Sequence, residues 1–212
     1  MTRIRFTTIV AAVVALVGGT GSAFAEEGDL GSRTELSVAG GIQALNKNDT
    51  ALPDQFINIP AVATLSYRLN PVLAVEGEFT WMIPVRQSVD MGASGSQDRK
   101  TPDVLAYQGN LRANWPVSGT SLTPYAAAGA GAVTFLSNTD ADRLPVLDQS
   151  QTMFAINFGG GATYGLTSRW ALRGDFREFA AFPAKDATGL SSGNSADPFW
   201  MERGTLGIAY RF

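Results

Sequence analysis

The last segment of the chain, residues 203–212, alternates strictly between apolar side chains and polar or small ones. Leu206, Ile208, Tyr210 and Phe212 share one parity, and the residues between them are Gly, Ala or Arg. Successive side chains of a β-strand point to opposite faces. The segment therefore predicts a strand with one apolar face and one polar or small face.

The same alternation recurs along the chain and predicts eight strands, at 33–45, 58–69, 72–85, 104–117, 122–136, 152–166, 169–182 and 199–212. The connections between them alternate long, short, long, short, long, short, long. Outer-membrane barrels have short periplasmic turns and longer extracellular loops, whereas a soluble sandwich has no reason to collect its long loops at one end. We therefore predict an all-β fold, an eight-stranded antiparallel up-and-down transmembrane β-barrel over residues 33–212, with the apolar face in lipid.

The first 25 residues have the features of a secretory signal peptide. Arg3 and Arg5 precede a short apolar run at 7–17, and an A-x-A cleavage site lies at 23–25. The run is too short for a spanning helix, although an uncleaved anchor is the alternative interpretation. We expect cleavage after Ala25, a short periplasmic segment at 26–32, and location in the bacterial outer membrane. Without the signal the chain has 16 − 2 = 14 basic and 19 acidic residues, a net charge of −5.

Composition excludes several classes of protein. The charged fraction is 17%, below the globular average of about 25%, yet the mature part has no run of ~20 apolar residues for a membrane helix. The net charge of −3 does not fit nucleic-acid binding. Cys and His are both absent, so we predict no disulfide, no metal site and no cofactor, and no Cys is available for a lipoprotein anchor.

Aromatic side chains of outward parity collect near both ends of the predicted strands. Those near the short turns are Tyr67, Trp115, Tyr125, Tyr164, Trp170 and Tyr210; those toward the long loops are Trp81, Tyr107, Phe135, Phe154 and Trp200. Two such girdles flanking an apolar band are typical of membrane barrels, so we expect contact with outer-membrane lipid and lipopolysaccharide. Glu178 and Glu202 also have outward parity, which predicts either a position above the bilayer or a bulge.

The inward face is predicted to carry a polar network. Its members are Glu35, Arg68, Glu76, Glu78, Gln108, Asn110, Arg112, Asn114, Asn157, Arg173, Asp175, Arg177, Arg203 and Arg211. Eight strands enclose an interior that side chains just fill, and buried charges need partners. We therefore favour a packed polar core over a gated ion path or ligand site. In this interpretation Ala126, Ala128, Ala130 and Ala132 face inward and leave room for the arginines.

Several stretches resemble a known family: T-P-Y at 123–125 with the Ala/Gly run to 132, F-G-G-G at 158–161 with T-Y-G-L at 163–166, and W-A-L-R at 170–173 with F-R at 176–177. They are similar to the small outer-membrane barrels of the OmpA and OmpX type and to the outer membrane protein beta-barrel domain family. The final Y-R-F resembles the signal that the outer-membrane assembly machinery recognises. The resemblance implies that machinery as a partner, with Tyr210 and Phe212 as the signal residues. A full-length OmpA has a further peptidoglycan-binding domain, and cell-wall anchoring is not carried over to this chain.

We predict that the protein is not an enzyme. The enzymes among small outer-membrane barrels use a His as general base, and this chain has no His. A Ser–Lys arrangement would need a lysine near a serine, but Lys47, Lys100 and Lys185 all fall in predicted outer loops. The glycine runs at 129–131 and 159–161 lack the Lys-Ser/Thr of a phosphate loop. They lie inside strands, where we predict that close backbone packing requires Gly. Asp140 and Asp142 are a weak cation-binding candidate, and simple solvation is favoured.

The predicted function is that of an integral outer-membrane protein of structural or surface-interaction type, anchored by its barrel and acting through four extracellular loops. A narrow channel or small-solute porin is the main alternative. A surface adhesin acting through the long loops is the second. The extracellular ligand, if there is one, is not identified by the sequence.

Overall fold

The structure is a computed structural model, and it describes residues 33–46, 55–90, 95–100, 102–140, 142, 146–183 and 198–212. The ten strands in these ranges are β1 Thr34–Asn46, β2 Gln55–Arg68, β3 Leu73–Pro84, β4 Arg86–Asp90, β5 Ser96–Lys100, β6 Val104–Asn114, β7 Leu122–Phe135, β8 Gln151–Gly165, β9 Trp170–Phe182 and β10 Phe199–Arg211. The predicted signal peptide and residues 26–32 lie outside the described residues. Among those described, none forms a helix long and apolar enough to cross a membrane.

Eight of the strands form a closed antiparallel barrel in the order β1-β10-β9-β8-β7-β6-β3-β2, which confirms the predicted fold class. The register can be followed once around the barrel from Glu35 on β1. It passes through Ser66, Glu76, Asn110, Gly129, Asn157, Phe179 and Met201 and returns to β1 at Leu45. The offset is 45 − 35 = 10 residues, which requires the strands to tilt, typically by about 35–45°.

The three short turns are held by local hydrogen bonds. The side-chain oxygen of Asn70 accepts bonds from the backbone N–H groups of Val72 and Leu73, at 2.9 and 2.8 Å. The hydroxyl of Thr167 accepts one from the N–H of Trp170 at 3.0 Å. Gly119 supplies the third turn with a φ of 75°, a conformation that glycine adopts without steric cost. The predicted turn positions are confirmed.

The alternation of side chains follows the prediction on seven of the eight barrel strands. On β10, Leu206 is 67% exposed while its neighbour Thr205 is buried, and on β1 the exposed Val38 lies beside the buried Ser37. The apolar residues therefore face away from the barrel axis. This arrangement is the reverse of a soluble protein, in which apolar side chains collect inside.

The prediction for β7 is wrong. Tyr125 and Phe135, assigned above to the outer aromatic girdles, point into the barrel and are only 4% and 3% exposed. Val133 is also inside, so the alanines at 126, 128, 130 and 132 face outward instead of making room for the arginines. In the middle of this strand, residues 126–132 are all Ala or Gly on both faces, so hydropathy could not decide which face was inward. The large apolar residues near the strand ends, Tyr125, Val133 and Phe135, led to the incorrect outward assignment of their face.

No bulge occurs at Glu178 and Glu202. The pairing of β9 with β10 runs without interruption from Phe199↔Ala181 to Tyr210↔Trp170, and Glu202 lies directly opposite Glu178. Both carboxylates therefore have outward parity in a regular ladder. The bulge that was offered as one explanation is excluded, and a position above the bilayer stays a prediction.

The interior is divided into a charged zone and a largely apolar zone, in which the amides of Gln43 and Asn58 are also buried. At the long-connection end, a cluster that we name the apolar plug fills the barrel. It consists of Leu45, Met82, Val104, Ala106, Val133, Phe135, Leu147, Met153, Ala155, Phe179, Ala181, Phe199 and Met201. All but Leu147 lie on strands, near the ends that adjoin the long connections. The sequence analysis did not anticipate this plug.

Leu147 closes the plug from a connecting segment. It belongs to the stretch between β7 and β8 and pairs with Asn138 through two backbone hydrogen bonds of 2.8 and 2.9 Å. Its side chain is 1% exposed among the strand residues of the plug. The connection therefore folds back over the barrel mouth and contributes to its packing.

The stretch 86–103, predicted as an irregular polar loop, contains the β4–β5 hairpin. The side chain of Gln87 exchanges two hydrogen bonds with the backbone of Ile57, at 3.1 and 3.3 Å, and so extends the edge of β2. Asp142 accepts a hydrogen bond from Arg86 at 2.9 Å and lies 3.8 Å from the Lys100 ammonium. Asp142 is thus an ion-pair partner that joins two long connections.

We expect Phe179→Ala to lower the free energy of unfolding by about 3–5 kcal/mol, because it leaves a cavity in the apolar plug. Phe154→Ala is the matched control: Phe154 is 58% exposed on the outer face, so its loss opens no cavity inside the barrel. The measurement is urea unfolding of the refolded protein, followed by the heat-dependent gel shift of folded barrels. Equal losses for both variants would contradict a packed plug.

Candidate functional site

The second zone of the interior, toward the short turns, is a network of buried charges. The carboxylates of Glu76 and Glu78 come from β3, while Arg173, Asp175 and Arg177 come from β9. These strands are separated by three others in either direction around the ring, so they lie on opposite walls. Side chains that reach inward from both walls meet near the axis. The network therefore ties together strands that share no backbone hydrogen bonds.

Glu76 is the centre of this network. Its carboxylate accepts hydrogen bonds from Arg112 at 2.8 Å, Arg173 at 3.2 Å and Arg177 at 3.0 Å. A second nitrogen of Arg173 lies 3.0 Å away, within ion-pairing distance but not aligned for a hydrogen bond. The Ser66 hydroxyl donates a further bond at 3.0 Å. Three guanidinium groups thus converge on one carboxylate whose side chain is inaccessible to solvent.

Glu78 and Arg203 form a second, bidentate pair. Arg203 donates to the two carboxylate oxygens at 2.7 and 3.1 Å and to the Thr80 hydroxyl at 2.7 Å. Its guanidinium lies 4.9 Å from the ring centre of Phe179, a member of the apolar plug. This cation–π contact marks the boundary between the two zones.

Asp175 connects the arginines around Glu76 with the Glu78–Arg203 pair. Its carboxylate accepts hydrogen bonds from Arg177 at 3.1 Å and Arg203 at 3.5 Å. At the short-turn end, Glu35 accepts bonds from Arg211 at 3.0 Å and Arg112 at 3.4 Å. Each of these acids and arginines therefore has at least one ion-pair partner, whereas Arg68 has none among the described residues.

An amide layer completes the network. The Asn157 side chain donates to Gln108 at 3.0 Å and to Asn110 at 2.8 Å, and it accepts a bond from Arg177 at 3.1 Å. Asn114 donates to the backbone carbonyl of Val72 at 3.1 Å. All fourteen residues predicted for the polar network have inward parity; Arg68, Asp175 and Arg211 are half-buried and the other eleven are buried.

Tyr125 is one of the β7 residues that the sequence analysis assigned to the wrong face. Its hydroxyl donates to Asp175 at 2.7 Å and accepts from Arg173 at 3.0 Å. Its ring lies 5.3 Å from the guanidinium of Arg112 and 5.0 Å from that of Arg173. Tyr125 therefore contacts both arginines, which share the Glu76 carboxylate, and orients Arg173 through its hydroxyl.

Gly161 leaves the space that Tyr125 occupies. A Cβ at this position would lie 2.6 Å from the Tyr125 hydroxyl oxygen and 2.0 Å from the carbonyl of Gly174. The close backbone packing predicted for the glycine runs is thus found here, and no larger residue fits without displacing the ring.

The remaining predicted girdle residues lie on the outer surface. Tyr67, Trp115, Tyr164, Trp170 and Tyr210 lie near the short turns, and Trp81, Tyr107, Phe154 and Trp200 lie toward the long connections. Trp170, Tyr210 and Phe212 form a ring cluster with centroid distances of 4.8 and 5.1 Å. At the other end, the Trp81 indole donates to Asp103 at 3.1 Å.

Comparison with known proteins agrees with this architecture. The model of the outer membrane protein beta-barrel domain family matches residues 11–212, nearly the whole chain. The chain belongs to this family. No curated protein sequence matches it.

Two solved structures are similar to this outer-membrane barrel. The N-terminal β-barrel domain of OprF from Pseudomonas aeruginosa is 14% identical with a TM-score of 0.53, over 85% of this chain and 98% of that one. Neisserial surface protein A (NspA) is 13% identical with a TM-score of 0.55, over 84% of this chain and 96% of that one. At these identities the likeness concerns the fold alone.

Glu76→Gln should lower the free energy of unfolding by about 3–5 kcal/mol, because three buried arginines then lose their shared carboxylate. Asp142→Asn, which removes one carboxylate from a partly exposed ion pair, should cost at most about 1 kcal/mol. Urea unfolding in detergent micelles compares the two. A cost for Glu76→Gln no larger than that for Asp142→Asn would show that the interior charges are not a coupled network.

Proposed function

We propose that this outer-membrane barrel is a closed anchor of structural or surface-interaction type, and that its lumen does not conduct ions. The observation that carries the proposal is the apolar plug above the paired charges. An ion that crossed the barrel would have to lose its hydration shell between Phe135, Phe179 and Phe199, all of them buried. Hydrophobic constrictions of this kind block ion passage by excluding water.

The polar half supports the same proposal. The buried interior holds four acids, Glu35, Glu76, Glu78 and Asp175, and four arginines, Arg112, Arg173, Arg177 and Arg203. Each of these charged groups is already bound to a fixed group of opposite sign and is therefore not available to a passing ion. Charges that serve each other in this way stabilise the barrel and do not form a selective path.

The connections at the opposite end from the short turns are the part available for interaction at the cell exterior. The β4–β5 hairpin is held to the segment after β7 by Asp142 and to β2 by Gln87. Arg86, Ser88 and Asp98 remain exposed on it. We infer that this ordered hairpin is a surface through which the protein contacts the cell exterior. This arrangement favours the surface-binding alternative over the porin alternative.

Three further expectations belong to the proposal. The two outer aromatic groups lie at the membrane interfaces, in contact with lipid on one side and lipopolysaccharide on the other. Tyr210 and Phe212 serve as the signal for the outer-membrane assembly machinery. The protein is not an enzyme, which is supported by the absence of His from the entire chain.

In planar bilayers we expect no steady open events from the wild-type protein. Arg112→Leu should weaken the barrel, since Glu76 and Glu35 each lose a partner, but should leave it equally silent because the plug is intact. Single-channel recording and urea unfolding of the same preparations test both points. Steady openings in the wild-type protein, or new openings at unchanged stability in Arg112→Leu, would reverse the proposal.

Orientation is tested by trypsin digestion of intact cells. Arg86, whose side chain is 54% exposed on the hairpin, should be cleaved, whereas Arg169 in a short turn should be cleaved only after the outer membrane is permeabilised. Mass spectrometry of the fragments identifies the sites. Cleavage at Arg169 in intact cells would mean that the short turns face outward.

A further inference from the structure

Four arginines lie at the short-turn ends of four adjacent strands: Arg68 and Arg211 on β2 and β10, and Arg33 and Arg169 directly before β1 and β9. We name Arg33, Arg68, Arg169 and Arg211 the arginine rim. The N–H of Arg68 bonds to the carbonyl of Arg33 at 2.8 Å, and the N–H of Arg211 bonds to that of Arg169 at 2.9 Å. Each pair continues a barrel ladder by one step, so its two arginines are direct cross-strand neighbours.

All four rim residues have the inward parity of the polar network. Arg33 is two residues from Glu35, Arg68 two from Ser66 and Arg211 two from the buried Ala209. Outward positions beside them are held by Tyr67, Trp170 and Tyr210. The rim therefore borders the mouth of the barrel, while aromatic rings occupy the face that meets lipid.

Among the described residues, one acidic side chain forms an ion pair with the rim. Glu35 is the carboxylate of the described residues that pairs with a rim arginine, and it is shared between Arg211 and Arg112. Within the ranges that the structure describes, Arg33, Arg68 and Arg169 have no ion-pair partner. Four of the sixteen basic residues of a chain with net charge −3 are thus concentrated on half of one rim.

This concentration opposes barrel stability. Like charges directly opposite each other on neighbouring strands are destabilising, and neutral polar residues would close the rim equally well. Arginine presents a planar fork of donors that matches carboxylate oxygens in pairs. A ligand with several carboxylates would relieve the repulsion at Arg33–Arg68 and Arg169–Arg211 at the same time.

We propose that the arginine rim is a docking site for an extended acidic peptide segment of a periplasmic partner. Barrels of this family have short turns in the periplasm, so the rim faces that compartment. Adjacent strands lie about 4.8 Å apart, so the rim spans about 15 Å, a length along which an extended peptide places several side chains on one face. A lipid phosphate is the less suitable ligand, because it approaches from the side that the aromatic rings occupy.

The test is binding of a fluorescein-labelled oligoglutamate peptide to the full chain refolded in zwitterionic nanodiscs, measured by fluorescence anisotropy. The wild-type protein should bind, with an affinity that falls as salt rises. Arg33→Gln/Arg68→Gln should weaken binding by about tenfold or more, a loss of ~1.4 kcal/mol. These two positions are chosen because they form no ion pair among the described residues, and the heat-dependent gel shift checks that the variant is folded.

Arg86→Gln/Arg99→Gln is the matched control, since it removes the same charge at the opposite end of the barrel. It should bind the peptide as the wild-type protein does. An equal loss in both double variants, or no binding by the wild-type protein, would overturn the proposal. Specificity for lipid headgroups would also overturn the proposal. In that case phosphatidylglycerol would stabilise the wild-type protein more than Arg33→Gln/Arg68→Gln, and the peptide would not bind.

Discussion

The structure depends on a carboxylate that solvent does not reach and on the three guanidinium groups that surround it. Closing eight strands into a narrow barrel brings the inward side chains of opposite walls into contact. Because lipid surrounds the barrel, apolar side chains lie on its outside as well as in its interior. An unpaired Glu76 or Arg177 in this space would cost several kcal/mol. Their pairing avoids that cost and connects β3 with β9, two strands that share no backbone hydrogen bonds.

The division of the interior into two zones follows from the same constraint. Near the short turns, long charged side chains fill the volume and form ion pairs with one another. Toward the long connections, apolar side chains such as Phe135, Phe179 and Phe199 fill most of it, and the amides of Gln43 and Asn58 are buried beside them. The boundary lies where Arg203 contacts both Glu78 and the ring of Phe179. A barrel closed in these two ways is stable without a ligand inside, which leaves its ends as the parts that can interact.

Much of the fold could be predicted because a period of two and the alternation of long and short connections are properties of the sequence alone. The polar network was also accessible, since Arg and Glu on an otherwise apolar ribbon mark the inward face. The orientation of β7 was not, because Ala and Gly occupy both of its faces. Tyr125 and Phe135 could be placed only once the neighbouring strands had fixed the register. The β4–β5 hairpin lacks an apolar face, so its pairing depends on tertiary contacts through Gln87 and Asp142, which a local pattern does not report.

The two ends of the barrel are built by opposite rules, and this asymmetry is the strongest link from structure to function. At the long-connection end, charges of the β4–β5 hairpin are neutralised locally, because Asp142 pairs with Arg86 and Lys100. Leu147 seals the mouth with apolar contact, and the like-charged pair of Glu178 opposite Glu202 lies on the outer face of the described strands. At the short-turn end, like charges face each other, and among the described residues Glu35 is the acidic side chain that pairs with the rim. Local neutralisation suits a surface whose own order matters, such as a presented hairpin. Uncompensated charge suits a surface completed by something else, because the repulsion within it is removed only by an opposite charge that the described residues do not supply.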